Sequence, residues 1–110
     1  MVLSFDEWKN VDIRIGLIEL VEDVIGKDKL YKMTVDFGAE GGKRTVVSGI
    51  KFYYTKEELT GKKAAFVFNL APAKIAGIES QAMILGAVNE ENKYKLFFLE
   101  DSVKQGTKVE

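Results

Sequence analysis

A small all-β fold is predicted by three features of the sequence. Apolar and polar residues alternate in several short runs, glycines punctuate or end those runs, and the helical signals are two short segments, one of one or two turns and one of a single turn. The 110 residues suit one domain, 1–110, with one core rather than a pair of domains. With 46% hydrophobic and 30% charged residues and no low-complexity tract, the chain has the composition of a folded domain.

The first helical signal is SFDEWKN, where Ser4 and Glu7 have the spacing of a capping box. In VDIRIGLIELVEDV, Val11, Ile13, Ile15 and Leu17 alternate before the apolar phase slips to Ile18 and Leu20. Gly16 beside the slip predicts a long strand with a bulge or bend at the glycine. Tyr31, Met33, Val35 and Phe37 alternate against Lys32, Thr34 and Asp36, ending at Gly38 and a turn-forming AEGG, and KRTVVSGI supplies the returning strand of a hairpin. TKEELTG predicts a helical turn with Thr55 as N-cap, Glu58 as its box partner and Gly61 as terminator. KKAAFVFNL is a nearly continuous apolar strand, and QAMILGAVN and YKLFFLED are two more, joined by a polar NEENK turn.

Bends at glycines, one helical turn between the third and fourth strands, and no alternation of strands with long helices predict an OB-fold. This is a five-stranded barrel with short helices, here with a C-terminal extension; a small SH3-like barrel shares several of these features. Ile13, Ile15, Val35, Val47, Phe66 and Leu85 are the expected core. OB-folds bind oligonucleotides, sugars and peptides, so the fold alone leaves the function open.

The chain has no cysteine and no histidine. Disulfides, thiolate zinc sites, the commonest metal ligand and the commonest general base at neutral pH are therefore absent, and neither a metal, a cofactor nor catalysis is expected. Glu57 and Glu58 are adjacent carboxylates, but neighbours on a short helix point to different faces and make a poor acid/base pair. The N-terminus carries acids where a signal peptide has basic residues, and the longest apolar run, Ala82 to Val88, falls far short of the ~20 residues of a membrane span. A cytoplasmic protein without a membrane partner is expected.

Net charge is −1, unevenly spread: residues 1–40 carry 5 basic and 9 acidic side chains, 41–80 carry 7 and 3, and 81–110 carry 4 and 5. The middle is therefore basic, and a local basic region attracts phosphate even when the total is near zero, because screening limits each charge to roughly 8 Å at physiological salt. At its end lies NLAPAKIAGIESQAMIL, Asn69 to Leu85, which holds the only proline.

Four segments together resemble the tRNA-binding domain family: FDEWKNVDIRIG (5–16), DKLYKMTVDFG (28–38), VVSGIKFYYTKEELTGK (46–62) and NLAPAKIAGIESQAMIL (69–85). That family includes the C-terminal domain of bacterial methionyl-tRNA synthetase, free-standing structure-specific tRNA-binding proteins and the C-terminal portion of endothelial monocyte-activating polypeptide. The resemblance covers about residues 5–87 and leaves 88–110 as an extension. It implies an OB-fold that grips the shape of tRNA without catalysing aminoacylation, usually as a homodimer, free or as an accessory subunit of a methionyl-tRNA synthetase chain.

The family pattern places Asn69, Pro72, Lys74, Gly77, Ser80 and Met83 on the RNA-binding face, with Ser48 and Gly49 of VVSG and Arg14 of DIRIG. Lysine meets phosphate, serine and asparagine bond phosphate or a 2′-hydroxyl, and methionine offers polarizable surface to a base or ribose. Ala71 and Ala76 stand where relatives often have a basic residue and Ala82 where a glycine is usual, so fewer counterions are released and weaker tRNA binding is expected.

Each residue also has a plainer role open to it. Met83 suits an apolar core, Asn69 a turn that bonds its own backbone, Lys74 a solvated surface, and Arg14 an ion pair with Asp12 or Asp36. Phe52, Tyr53 and Tyr54 offer either a stacking platform for bases or packing in the core or a dimer. The apolar run Leu96 to Leu99 leaves more hydrophobic surface than one edge strand needs, which predicts a homodimer. A CsaA-like branch of the family implies an alternative, a peptide-binding export chaperone, although the DKLY and SGIK segments look closer to the synthetase branch.

Overall fold

One long strand organises the molecule. In the computed structural model, which describes residues 1–110, the elements are α1 (Phe5–Trp8), β1 (Ile13–Val24), β2 (Lys27–Asp36), α2 (Gly38–Gly41), β3 (Lys43–Ser48), α3 (Lys56–Leu59), β4 (Lys63–Val67), β5 (Ala73–Ile75), β6 (Ile78–Ser80), β7 (Met83–Ile84), β8 (Gly86–Val88), β9 (Tyr94–Leu96) and β10 (Phe98–Leu99). No helix is long and apolar enough to cross a membrane.

Residues 13–17 of β1 pair with β4, and residues 17–24 pair with β2. Serving two partners requires the strand to coil over the core, and Gly16 permits it. A Cβ there would stand 2.4 Å from Val35 Cγ1 and 2.8 Å from the Phe37 ring, too close for any side chain. The register shifts fall elsewhere than expected, between Ile18 and Leu20 and between Asp23 and Val24 rather than at Gly16. Glu19 is the extra residue, and it brings both Ile18 and Val21 inward.

The β2–β3 hairpin pairs Tyr31 with Ser48 through Asp36 with Lys43. Its AEGG connection forms the single turn α2, started by Asp36 Oδ1 accepting from the Gly38 N–H at 2.9 Å. Both capping boxes form as the spacing predicts: the Glu7 N–H donates to Ser4 Oγ at 3.1 Å, the Glu58 N–H donates to Thr55 Oγ1 at 3.2 Å, and each glutamate accepts from its cap's N–H in return. Leu59 of α3 is fully buried and closes one end of the core.

Phe37, Phe66, Ile18, Met33 and Val35 fill the centre, with Phe37 and Phe66 edge to face at 5.3 Å. Of the expected core residues, Ile15, Val35, Val47 and Phe66 are buried, whereas Ile13 and Leu85 are only half-buried. Ile13 begins its strand at the open end, where one free edge meets only the C-terminal tail through a bond from the Val109 N–H. At β7 the residue paired with Phe66 is Ile84, so Ile84 turns inward and Leu85, one position on, does not.

The sheet order is β10-β4-β1-β2-β3, with β7 also on β4, and its ends do not join in a ladder. The architecture is all-β and OB-like, but the closed barrel expected from the sequence is not formed. Side chains span the gap instead: Ser80 Oγ accepts from the Val47 N–H at 2.9 Å, and the Thr45 N–H donates to Gln81 Oε1 at 2.9 Å. The Gln81 N–H also donates to the Thr45 carbonyl at 2.8 Å.

β7 and β10 lie along the same edge of β4, Ile84 opposite Phe66 and Phe98 opposite Ala64. Between them the chain leaves as the β8–β9 hairpin, so the two long strands expected at 81–89 and 94–101 are each broken in two. Gly86 lies against the Tyr94 ring, which a Cβ on residue 86 would meet at 2.5 Å, so only glycine fits at the root of the hairpin.

Candidate nucleic-acid interface

Most of the Asn69–Leu85 segment lies in the longest connection of the sheet, residues 68–82 between β4 and β7. It is not an irregular loop. Ala73 pairs with Ser80 and Ile75 with Ile78 in a hairpin whose turn residues, Ala76 and Gly77, both have positive φ, 53° and 79°. Two such residues make the tight turn that matches strand twist. Lys74 and its cross-strand neighbour Glu79 are both exposed and make no ion pair.

Side chains hold the stems of this segment. Asn69 Oδ1 accepts from the Asp12 N–H at 3.0 Å and its Nδ2 donates to the Asn10 carbonyl at 2.6 Å, so Asn69 fastens the chain before β1 rather than its own turn. Ser80 is buried, accepting from Val47 and donating to the Ala82 carbonyl at 3.2 Å. Arg44, on β3, donates through Nη1 to the Phe68 carbonyl at 2.7 Å and to the Gln81 carbonyl at 3.1 Å, and so ties the two stems together.

Arg14 pairs with Asp12 and not with Asp36, its Nε 3.0 Å from Oδ1 and its Nη2 3.0 Å from Oδ2. That bond raises the Arg14 pKa. Both guanidinium groups lie over the Phe68 ring, Arg44 at 3.5 Å and Arg14 at 4.2 Å from its centroid. Desolvation, and then the charge of Arg14, lower the Arg44 pKa.

Under the hairpin, Val47, Ser48, Leu70, Ile75, Ala82 and Met83 line an apolar groove of about 160 Å³. Met83 is 47% exposed and stands at its rim, and Ala71 and Ala82 also line it. Gly49 is exposed just beyond Ser48, and Pro72 is exposed on the approach to Lys74. The structure thus gathers Ser48, Gly49, Lys74, Ser80 and Met83 around one hairpin and groove, and sets Arg14 and Asn69 beside its stem.

Two neighbours of the site escaped the sequence reading. Lys32 lies directly opposite Val47 in the β2–β3 ladder and so shares its face beside the groove. Its place on the polar face of an alternating strand was visible, but its neighbour depends on register. Arg44 carried no local signal at all.

Part of the basic middle of the chain is tied into local bonds. Lys43 meets Glu19 at 3.0 Å, Lys51 and Lys56 both hold Asp23 at 2.9 Å, and Lys63 donates to the Asp101 and Val103 carbonyls at 2.7 Å. Lys51, then Lys56, lower the Asp23 pKa. Two acids of β1 therefore pair with three of the seven cations of residues 41–80, and Lys74 stands outside these pairs on the hairpin, exposed opposite Glu79.

The geometry defines an OB-type β domain whose principal loop is an exposed hairpin, poised over an apolar groove. The family model described as "Putative tRNA binding domain" matches residues 13–108, and the chain belongs to that tRNA-binding domain family. It is similar to the methionine–tRNA ligase of Methanoculleus marisnigri, 48% identical over 108 residues that make up 98% of this chain and 16% of that protein. It thus spans about a sixth of the length of the curated relatives it matches. Among solved structures, the MetRS-related protein of Pyrococcus horikoshii superposes with a TM-score of 0.91 at 38% identity, covering 99% of this chain and 98% of that one. The CsaA chaperone protein of Picrophilus torridus superposes with a TM-score of 0.88 at 31% identity, covering 99% and 100%.

Proposed function

We propose that this domain binds tRNA by shape, without catalysing a reaction, and that the β5–β6 hairpin is its contact surface. One observation carries the reading: within the family motif, Lys74 is exposed on a hairpin whose stems are fixed by Arg44, Asn69 and Ser80, and Met83 of β7 is exposed at the rim of the groove beneath it. A charge and a polarizable side chain on a rigid support suit backbone contact and base or ribose contact respectively. Ser48 and Gly49 continue the surface, while Asn69, Ser80 and Arg14 support it.

Titration with total tRNA at several salt concentrations tests this. Lys74→Glu lowers affinity and makes the dependence of log K on log salt shallower by roughly one unit, the share of a single neutralised phosphate. Met83→Ala weakens binding at nearly unchanged slope, and because the side chain is half exposed the fold loses less than about 1 kcal/mol. Wild-type affinity and slope in a folded Lys74→Glu variant would exclude the hairpin as the phosphate-contacting site.

The same reading includes a homodimer in the cytoplasm, free or docked to a methionyl-tRNA synthetase chain, a partner suggested by the ligase relatives. Phe52, Tyr53, Val88 and Phe97 are all exposed around the β8–β9 hairpin, and a second copy would cover them. Light scattering that reports 12.3 kDa at micromolar concentration would contradict the dimer.

The apolar groove and the CsaA likeness favour one alternative, binding of unfolded peptide. In that case Lys74→Glu leaves peptide binding nearly intact and Met83→Ala impairs it.

A further inference from the structure

Arg44 is used in a way that the family motif does not account for. Of the five N–H donors of a guanidinium, both on Nη1 are taken by the Phe68 and Gln81 carbonyls. Nε and Nη2 make no hydrogen bond, and no carboxylate forms an ion pair with Arg44. Asp12, whose charge also acts on Arg44, is already committed to Arg14 in a fork of two bonds at 3.0 Å. Two guanidinium groups therefore share the Phe68 ring, and only Arg14 of the two has a carboxylate in an ion pair.

The surroundings make the unpaired guanidinium usable. Arg44 lines an open pocket of about 410 Å³ with Phe68, Asn69, Leu70, Ala71, Pro72 and Gln81, beside the stem of the β5–β6 hairpin. No acidic residue is among them. The side chain is half-buried, and its plane is held by the Phe68 face at 3.5 Å and by two carbonyls, so its rotamer is settled before any ligand arrives. A planar fork with free donors, in a fixed orientation and short of negative charge, matches an oxyanion with two acceptor oxygens. Both burial and the neighbouring Arg14 disfavour the charged form of Arg44, a penalty that an arriving anion relieves.

We propose that Arg44 is a second phosphate-binding residue, which takes a backbone phosphodiester of the RNA into the pocket between Asn69 and Gln81 while Lys74 contacts the strand from the hairpin. This rests on the tRNA-binding function proposed for the domain and extends it from an exposed lysine to a preorganised arginine. A free inorganic phosphate offers the same oxygens, and the experiment separates the two sources.

Total tRNA is titrated against wild type, Arg44→Gln and Arg44→Lys at several potassium chloride concentrations, after fold and mass are checked. Arg44→Gln is expected to lower affinity about tenfold, as removal of one charge-assisted hydrogen-bonding partner should, and to make the salt slope shallower by roughly one unit. Arg44→Lys is expected to keep the wild-type slope with reduced affinity, because the charge stays and the fork is gone. A folded Arg44→Gln variant that binds more weakly at the wild-type slope would show that Arg44 only holds the stems, and would overturn the proposal. If that variant does not fold, nitrogen-15 spectra of the wild type decide: the Arg44 Nε–Hε signal shifts on adding tRNA if the proposal holds. No shift with tRNA, or a shift with inorganic phosphate alone, overturns it. Absence of tRNA binding by the wild type would instead remove the proposed function itself.

Discussion

Two hairpins leave the sheet on either side of β7, and they could hardly differ more. β5–β6 exposes Lys74 and Glu79, carries no exposed aromatic residue, and is fixed at its base by Ser80, Gln81 and Arg44 side chains. β8–β9 exposes Val88, with Phe97 exposed just after it, is rooted by the Tyr94 ring over Gly86, and touches the FYY segment through Tyr94 and Tyr53, 6.2 Å apart. The first has a polar tip on a side-chain scaffold; the second has apolar surface on an aromatic root. One β framework thus presents a polar hairpin and an apolar one, because an insertion along β4 needs only its end residues to satisfy the sheet.

The harshest way to test that both hairpins depend on one root is Phe66→Ala. Phe66 is fully buried, pairs with Ile84 between the two hairpins and packs edge-on against Phe37. Its removal is expected to cost about 3–5 kcal/mol in urea unfolding and to loosen both hairpins together in hydrogen exchange. Selective loosening of one would mean that they are anchored independently.

Ser80→Ala sharpens the comparison. It strips the Val47 N–H of its partner without removing apolar packing, so a destabilisation of about 1–3 kcal/mol is expected, with faster amide exchange confined to β3 and β5–β6. Equal exchange in β8–β9 would contradict the separate scaffolds. Phe97→Asp should have the smallest effect on the fold, within about 0.5 kcal/mol for the monomer, because the ring is half exposed. If the proposed dimer uses this face, the consequence is in mass, which falls from twice 12.3 kDa to 12.3 kDa by light scattering with the circular dichroism spectrum retained. An unchanged dimer would place the interface elsewhere.

Much of this architecture was legible in the chain. Ser4 with Glu7, and Thr55 with Glu58, formed both expected capping boxes, since a cap and its partner lie within one turn. The alternation of Tyr31, Met33 and Val35 placed these side chains inward, as period-2 patterning requires. The bulge was misplaced because an apolar phase slip marks a neighbourhood, not a residue, and Gly16 proved to answer a packing constraint with Val35 and Phe37. QAMILGAVN looked like one strand because composition does not reveal that its two halves pair with different partners, β7 with β4 and β8 with β9.

The sequence by itself therefore determined what depends on near neighbours: the caps, the strand alternation and the motif that identifies the family. Tertiary structure decided which of those residues remain available. Ser80 was drawn into the interior by an amide 33 residues earlier, and Arg44 was oriented by carbonyls 24 and 37 residues later. Two acids of β1, Glu19 and Asp23, paired with three of the seven cations of residues 41–80, while Lys74 stayed exposed outside those pairs. Burial and electrostatic pairing act through distance in space, and no window along the chain carries that distance until register and fold have set it.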